Sequence, residues 1–209
     1  MAKIRSGVLG NTRGKVAGVV GSQWKNVNYI REYVKPANPN TAAQQAQRLK
    51  MSSAVAFAKS LVGPIFNAYT DKFQKGMSGF NYFIKQNIAE FDGSLDYSAL
   101  KITEGKLHAV DTIDPEYITG TGVLTVSFGA TLGNNGALDD AVFVAVIDES
   151  TGLWYFSSAE WARNGVFDEV TLPTGLTATD LHVYVFAAQY SGTIVNMISD
   201  SAYANGTAP

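Results

Sequence analysis

Residues 180–188, DLHVYVFAA, decide what the C-terminal half of this 209-residue chain can form. Leu181, Val183 and Val185 alternate with His182, the period of a strand that buries one face and turns His182 to the other. Turn signals such as Asn134-Asn135-Gly136 separate further short β-rich runs. We therefore predict an immunoglobulin-like antiparallel β-sandwich over residues 97–209. The further runs are LKIT (100–103), GVLTVSF (122–128), AVFVAVID (141–148), LWYFS (153–157), VFDEVTL (166–172) and TIVNMIS (193–199).

The N-terminal segment predicts a β-hairpin. Two β-prone runs, VVGSQW (19–24) and VNYIREYV (27–34), flank Lys25 and Asn26. Asparagine tolerates the left-handed backbone that a tight hairpin turn requires. Because a hairpin is marginal by itself in water, we expect this one to lie on the chain's own helices or on another chain.

Three helices are predicted between the hairpin and the β-rich half. The first, over 41–62, begins with a capping box of Thr41 and Gln44 and carries apolar residues at helical spacing. A second starts at Pro64, and a third spans MSGFNYFIKQNIAEF (77–91). The expected buried positions are Met51, Val55, Ala58 and Val62 on the first helix and Phe80, Ile84, Ile88 and Phe91 on the third. The expected class is α+β, with an arm-and-helix module over 1–96 and the β-sandwich over 97–209.

Charge is distributed very unevenly along the chain. The net charge is −2, yet residues 1–106 carry +9 and residues 107–209 carry −11, with Arg163 the sole lysine or arginine of the second part. Such asymmetry points to partners, since a basic region can contact an acidic protein surface or nucleic acid. Two domains that simply differ in isoelectric point would give the same numbers.

No pattern for catalysis, cofactor binding or metal binding emerges. The chain has no cysteine, which excludes zinc-thiolate sites and thiol nucleophiles. The segment from Gly10 to Lys15 is one residue short of a phosphate-binding loop and lacks its hydroxyl. His108 and His182 have no metal-spaced neighbour, and Asp139-Asp140 and Asp148-Glu149 lack calcium-loop spacing. We expect no enzyme, cofactor, metal or small-molecule substrate.

The glycine-rich stretch GVLGNTRGKVAGVVGSQWKN (7–26) is better explained by contact with another chain. Glycine permits unusual backbone angles and the close approach of a second backbone, and neighbouring cations would select an acidic surface. We predict that this arm and the adjoining helix mediate assembly. The predicted interaction residues are Gly10, Arg13, Gly14, Lys15, Gly18, Gly21, Trp24, Tyr29, Arg31 and Arg48.

Several motifs together resemble an uncharacterised domain family of Bacteroidota genomes and their phages. They are GSQWKNVNYIR (21–31), NPNT (38–41), QQAQR (44–48) and MSGFNYF (77–83), with a β-rich tail; Asn26 stands where that family often has glycine. No catalytic role accompanies the resemblance. What it implies is a small structural protein of a phage-type particle.

The leading hypothesis is therefore a homo-oligomeric virion structural protein, located on the capsid, neck or tail and made in the host cytoplasm. Its partners would be copies of itself and other virion proteins. A DNA-associated protein that uses the basic half is one alternative. A carbohydrate-binding β-sandwich that uses Trp154, Tyr155 and Trp161 is another. No secretion signal or membrane-spanning run is expected, because Asn11, Arg13 and Lys15 interrupt the first apolar segment.

Overall fold

Two compact units make up the chain, Met1–Ala42 and Ala43–Pro209. The computed structural model describes residues 2–4, 14–24, 27–35, 37–61, 76–93, 95–129, 131–133, 135–157, 161–165, 167–191 and 194–208. The division between the units falls between Ala42 and Ala43, whereas the sequence predicts an arm-and-helix module over 1–96 and a β-sandwich over 97–209.

The first unit is a four-stranded antiparallel sheet. Its strands are β1 (Ala2–Ile4), β2 (Gly14–Val16), β3 (Val19–Trp24) and β4 (Val27–Glu32), in the order β1-β4-β3-β2. Trp24 pairs with Val27, so β3 and β4 form a hairpin whose two linking residues are Lys25 and Asn26. The predicted hairpin is confirmed, and its linking residues lie outside the described part of the chain.

The second unit contains two antiparallel sheets. The smaller has the order β10-β6-β5, and the larger has the order β12-β11-β7-β8, with β13 paired to β11 and β9 paired to β7. The strands are β5 (Asp111–Ile118), β6 (Val123–Gly129), β7 (Ala141–Asp148), β8 (Leu153–Phe156), β9 (Trp161–Ala162), β10 (Phe167–Thr171), β11 (Leu181–Ser191), β12 (Ile194–Ile198) and β13 (Ala202–Asn205).

The alternation of β11 divides the core into two clusters. Leu181, Val183 and Val185 belong to a cluster shared with Leu124 and Val126 of the smaller sheet, named here the inter-sheet cluster. Tyr184 and Phe186 point to the other face and belong to a second cluster, named here the helix-side cluster. The predicted orientation of β11 is therefore confirmed, and both faces of the larger sheet are covered.

Two helices cover that second face. They are α1 (Ala42–Leu61) and α2 (Gly79–Asn87), and a 3₁₀ turn over 88–90 follows α2. Ala54, Ala58 and Leu61 of α1 are fully buried against the larger sheet's cluster. Because the helices share this core with β7 and β11, they belong to the second unit. The predicted second helix, from Pro64, lies outside the described residues.

The buried face of α1 differs from the predicted one. Met51 is exposed, and Phe57 contributes instead, with its ring 5.6 Å from that of Trp154 in an edge-on arrangement. Val55 and Ala58 pack as expected, and Val62 lies outside the described residues. Alanines at 54 and 58 bring the helix close to the sheet, so the large Phe57 can reach across to β8.

In the second unit β5, β9 and β13 were not predicted, and one predicted strand is not formed. β5 reads DTIDPEYI, in which acids and Pro115 obscure the alternation. Proline is tolerated because β5 lies at the edge of its sheet. Residues 100–103 are not a strand, and Leu100 and Ile102 are buried in the helix-side cluster. The overall class is nevertheless α+β, as predicted. In the described part of the chain, no helix has the length and apolar character needed to cross a membrane.

Candidate assembly surface

The strand register sorts the predicted interaction residues onto the two faces of the β1–β4 sheet. Residues paired across strands share a face, and neighbours along a strand alternate. Lys15 pairs with Val20, and Val20 pairs with Arg31. One face, named here the basic face, is formed by Lys15, Val20, Ser22, Trp24, Val27, Tyr29 and Arg31.

Cations and aromatic rings dominate the basic face. Lys15 and Arg31 are exposed on the two strands that flank β3, and Trp24 is 67% exposed. The Lys15 ammonium lies 3.6 Å from the centroid of the Tyr33 ring, which directly follows β4. The sheet's acid, Glu32, pairs with Val19 on the other face. The basic face therefore presents positive charge and π surface without a carboxylate among its described residues.

The opposite face combines glycines and apolar residues with Gln23, Asn28 and Glu32. Gly14 pairs with Gly21, which in turn pairs with Ile30, while Val19 pairs with Glu32. Gly14 has φ of +102°, so its own backbone requires glycine there. Gly18 lies in the two-residue turn between β2 and β3, where a Cβ would meet open space.

No described side chain of this sheet is buried. Trp24, Val19 and Val27 are all exposed, and the remaining described strand positions are at most half-buried. The segment after β4 continues this character, since Val34 is 70% exposed. Four hydrogen-bonded strands thus have large apolar side chains on their surface and no core among their described side chains.

The other predicted interaction residues are not part of this surface. Gly10 and Arg13 lie outside the described residues. Arg48 is exposed on α1, in the second unit. It lies in a stretch of α1, residues 42–53, in which every side chain except the half-buried Lys50 is exposed. Leu49 and Met51 are large apolar members of that stretch, which is a second candidate contact surface.

The acidic second half has no exposed lysine or arginine after residue 106. Arg163 is the sole such residue there, and it is 0% exposed. Its guanidinium donates to the carbonyl oxygens of His108 (2.6 Å) and Thr131 (3.4 Å), which ties two loops together. Because this cation is buried, no lysine or arginine after residue 106 adds positive charge to the surface.

A polar cluster surrounds the buried His182. Its imidazole stacks on Tyr97 at 4.0 Å between ring centroids, and its ring nitrogens lie 2.9 Å from the Tyr203 hydroxyl and 3.2 Å from Glu149. Burial, together with nearby carboxylates, raises the pKa of Tyr97 and of Tyr203 above the ordinary phenol value. Both phenols are therefore neutral, and the cluster supports the β11–β13 pairing.

Two other kinds of site considered from the sequence are a metal site and a carbohydrate-binding surface. Within the described residues, no group of three histidine or carboxylate side chains is placed to hold a metal ion. Trp154 packs against the helix-side cluster and Tyr155 against the inter-sheet cluster, which removes them from an open sugar-stacking surface. The side chain of Trp161 lies outside what the structure describes.

Comparison with known proteins gives one match. A family model described as "Family of unknown function (DUF6266)" matches residues 11–204. No curated protein and no solved structure matches the chain. The matched range includes β2–β4, both helices and nearly all of the two sheets.

Proposed function

Because the chain belongs to the family of unknown function DUF6266, no activity comes to it from a relative, and we propose that it is a non-enzymatic structural protein of a virion. In this proposal copies of the chain assemble through the β1–β4 sheet and the exposed half of α1. The particle context rests on the resemblance of the N-terminal motifs to a Bacteroidota and phage family. The assembly mechanism rests on the exposure and charge of the β1–β4 sheet and of the first part of α1.

One observation carries the assembly proposal: a four-stranded sheet without a buried side chain among its described residues. Ordering a residue's backbone costs about 1–2 kcal/mol, and apolar burial is the main term that offsets this cost. A sheet with both faces exposed lacks that offset. A partner that covers one face would supply it.

Copies of the same chain are the partners we propose first. The basic face has the charge opposite to that of the exposed surface after residue 106. Leu49 and Met51 on α1 add apolar area that a neighbouring subunit can cover. Other virion proteins would attach to the same assembly.

The fold of the second unit forms part of this proposal. We propose that the two sheets are an immunoglobulin-like β-sandwich displayed by the assembly. In support, both sheets are antiparallel and enclose one apolar cluster. The helices on the second face of the larger sheet would be an addition to that architecture. An experimental structure of the full chain would check the strand connections.

Sedimentation velocity on the full chain tests assembly. We expect oligomers at low salt that dissociate as salt is raised, because exposed ion pairs are screened. Lys15→Gln/Arg31→Gln should weaken association about tenfold, since each exposed pair contributes about 0.2–1 kcal/mol. The matched control is Lys59→Gln/Lys85→Gln, which removes two exposed cations from the helices. A monomer at every concentration, with protected amides throughout β2–β4, would contradict assembly.

Labelling tests the virion context separately. An antibody against the chain should mark isolated particles at regular positions. Purified particles that lack the chain would remove this part of the proposal and leave the assembly result intact.

DNA association remains a second candidate because cations and aromatic rings share one sheet face. Aromatic side chains stack on bases, while cations contact phosphates. Fluorescence anisotropy with a single-stranded oligonucleotide, at two salt concentrations, tests this candidate. Nanomolar affinity with a steep salt dependence, lost in Lys15→Gln/Arg31→Gln, would favour DNA binding over assembly.

A further inference from the structure

We propose that the basic face binds the outer face of the smaller sheet, β10-β6-β5, of a second copy. The inference rests on the proposed assembly function and names the surface that receives the basic face. The resulting contact is head-to-tail, because the two surfaces that meet are different parts of the chain.

The outer face of the smaller sheet carries a row of paired carboxylates. Thr125 of β6 pairs with Glu116 of β5 on one side and with Glu169 of β10 on the other. Both glutamates are exposed, while Tyr117 and Val170 beside them are buried in the inter-sheet cluster. Asp114 adds a third exposed carboxylate, opposite Ser127. We name this surface the acidic face.

In the part of the chain that the structure describes, no cation pairs with the carboxylates of the acidic face. β5, β6 and β10 contain no lysine or arginine, and Arg163, the sole one after residue 106, is fully buried elsewhere. Within the described residues of the second unit, neither Glu116 nor Glu169 forms an ion pair with a lysine or arginine. A partner with positive charge would meet them without having to displace an existing lysine or arginine.

The basic face repeats the same spacing with the opposite sign. Val20 of β3 pairs with Lys15 of β2 on one side and with Arg31 of β4 on the other. In both sheets two like charges therefore flank a neutral residue, which lies on the strand between them: β3 in one sheet and β6 in the other. Adjacent strands lie about 4.8 Å apart, so each charged pair spans about 10 Å between backbones. Two sheets packed face to face could bring both cations onto both carboxylates.

Apolar residues adjoin the charged row on each surface. On the basic face, Trp24 pairs with Val27, and both are exposed. On the acidic face, Ile118 pairs with Val123, and Ile118 is 42% exposed. The contact would thus combine ion pairs with apolar burial, which exposed ion pairs need in order to give measurable affinity.

The size of the surfaces predicts a weak individual contact. Three strands of about six residues span roughly 10 by 20 Å, well below the roughly 800 Å² per partner of a standard interface. Because the contact is head-to-tail, it can repeat along a ring or a filament. We therefore expect concentration-dependent and salt-sensitive association.

Variants that keep only one of the two faces active test the assignment of the acidic face. Lys15→Gln/Arg31→Gln leaves only the acidic face active, and Glu116→Gln/Glu169→Gln leaves only the basic face active. Near the dissociation constant of the unmodified chain, where that chain still forms oligomers, each variant should sediment mainly as a monomer. An equimolar mixture should stop at a dimer of about twice the 22.4 kDa chain mass. Asp139→Asn/Glu90→Gln, which neutralises two acids outside the smaller sheet, is the matched control and should assemble normally.

A charge-swapped chain gives an independent test. Lys15→Glu/Arg31→Glu/Glu116→Lys/Glu169→Lys restores opposite charges on the two faces and should recover assembly to within about tenfold of the unmodified chain. Circular dichroism and thermal unfolding check that every variant is folded.

The outcomes separate this inference from the proposed function. If Glu116→Gln/Glu169→Gln assembles normally while Lys15→Gln/Arg31→Gln does not, assembly through the basic face stands and the acidic-face assignment is overturned. If the unmodified chain never associates, the proposed function itself fails. Binding of a single-stranded oligonucleotide in place of self-association would assign the basic face to nucleic acid and overturn the inference.

Discussion

The β1–β4 sheet and the larger sheet of the second unit use the same antiparallel pairing with opposite results. In β11, every residue from Leu181 to Ala188 is buried, because apolar clusters cover both faces. In β3 and β4, no residue is buried. Hydrogen bonding alone therefore does not distinguish a sheet with a core from a sheet with no buried residue in its described strands.

What distinguishes them is the supply of apolar surface that packs against the strands. The larger sheet is covered by the smaller sheet on one face and by α1 and α2 on the other. The β1–β4 sheet combines cations, glycines and exposed rings, which form no described core. Four predictions test this difference, and they run from the largest expected effect to the smallest.

Truncating one aromatic residue in each region should have very different costs. Phe186→Ala should destabilise the chain by about 3–5 kcal/mol, because the side chain is 2% exposed in the helix-side cluster. Trp24→Ala should cost less than about 1 kcal/mol in the monomer at high salt, since its ring is already exposed. Urea unfolding measures both. Equal costs would mean that the β1–β4 sheet has a core after all.

Adding one methyl group should likewise destabilise the second unit more than the β1–β4 sheet. A Cβ on Gly105 would lie 1.9 Å from the Ile198 carbonyl oxygen, so Gly105→Ala should cost about 1–3 kcal/mol through a forced backbone shift. Gly18→Ala in the β1–β4 sheet should be nearly neutral, because nothing lies within 4 Å. Thermal unfolding of the two variants compares them directly. A large loss for Gly18→Ala in the monomer would reveal a close contact that the structure does not describe.

The β7–β8 turn shows how the second unit also satisfies its polar groups. Asp148 accepts hydrogen bonds from the Ser150 amide at 3.1 Å and the Thr151 hydroxyl at 2.6 Å. Burial acts to raise the pKa of Asp148, but hydrogen bonds from Thr151 and Ser150 outweigh it and lower the pKa. A lowered folded-state pKa stabilises the fold above the unfolded value, and this contribution is lost as pH falls through the folded value.

Asp148→Asn should therefore cost about 1–2 kcal/mol at pH 7, because an amide replaces an acceptor-only carboxylate. The difference from the unmodified chain should shrink as pH falls below about 4. Denaturant unfolding at several pH values provides the measurement, with Asp139→Asn as the exposed control. A difference that does not depend on pH would exclude the carboxylate as its cause.

The smallest expected effect concerns the β2–β3 turn. Ala17 has φ of +52°, a region that costs a residue with a side chain about 1 kcal/mol and glycine almost nothing. Ala17→Gly should therefore slow amide exchange of Val19 several-fold by stabilising the pairing of Val16 with Val19. Unchanged or faster exchange would mean that the added freedom of glycine in the unfolded chain outweighs the relieved strain.

Part of the fold could be predicted because its signals are local. The period of two in 181–186 fixed which side chains of β11 face the inter-sheet cluster, and the spacing of VVGSQW and VNYIREYV fixed the hairpin. β5 was missed because Pro115 and three acids mask a strand whose edge position tolerates them. Met51 was placed in the core wrongly, because helical spacing alone does not say which stripe will meet the sheet.

The candidate surface could be predicted only as a list of residues. The sequence picked out Lys15, Trp24 and Arg31, but their common face follows from the pairing of β2, β3 and β4. A slip of one residue would turn every side chain of the slipped strand to the opposite face, so strand register decides the surface. The carboxylate row of Glu116 and Glu169 joins residues 53 positions apart along the chain, which no local pattern connects.

By itself, the sequence determined the α+β class, the hairpin, the strand periodicity and the charge of −11 after residue 106. These properties depend on residue type and spacing along the chain. Only the tertiary structure decided that α1 and α2 cover the larger sheet, that Arg163 is buried, and that opposite charges form matching rows on two sheets. These properties depend on which distant segments pack together, because burial and cross-strand pairing are set by neighbours in space.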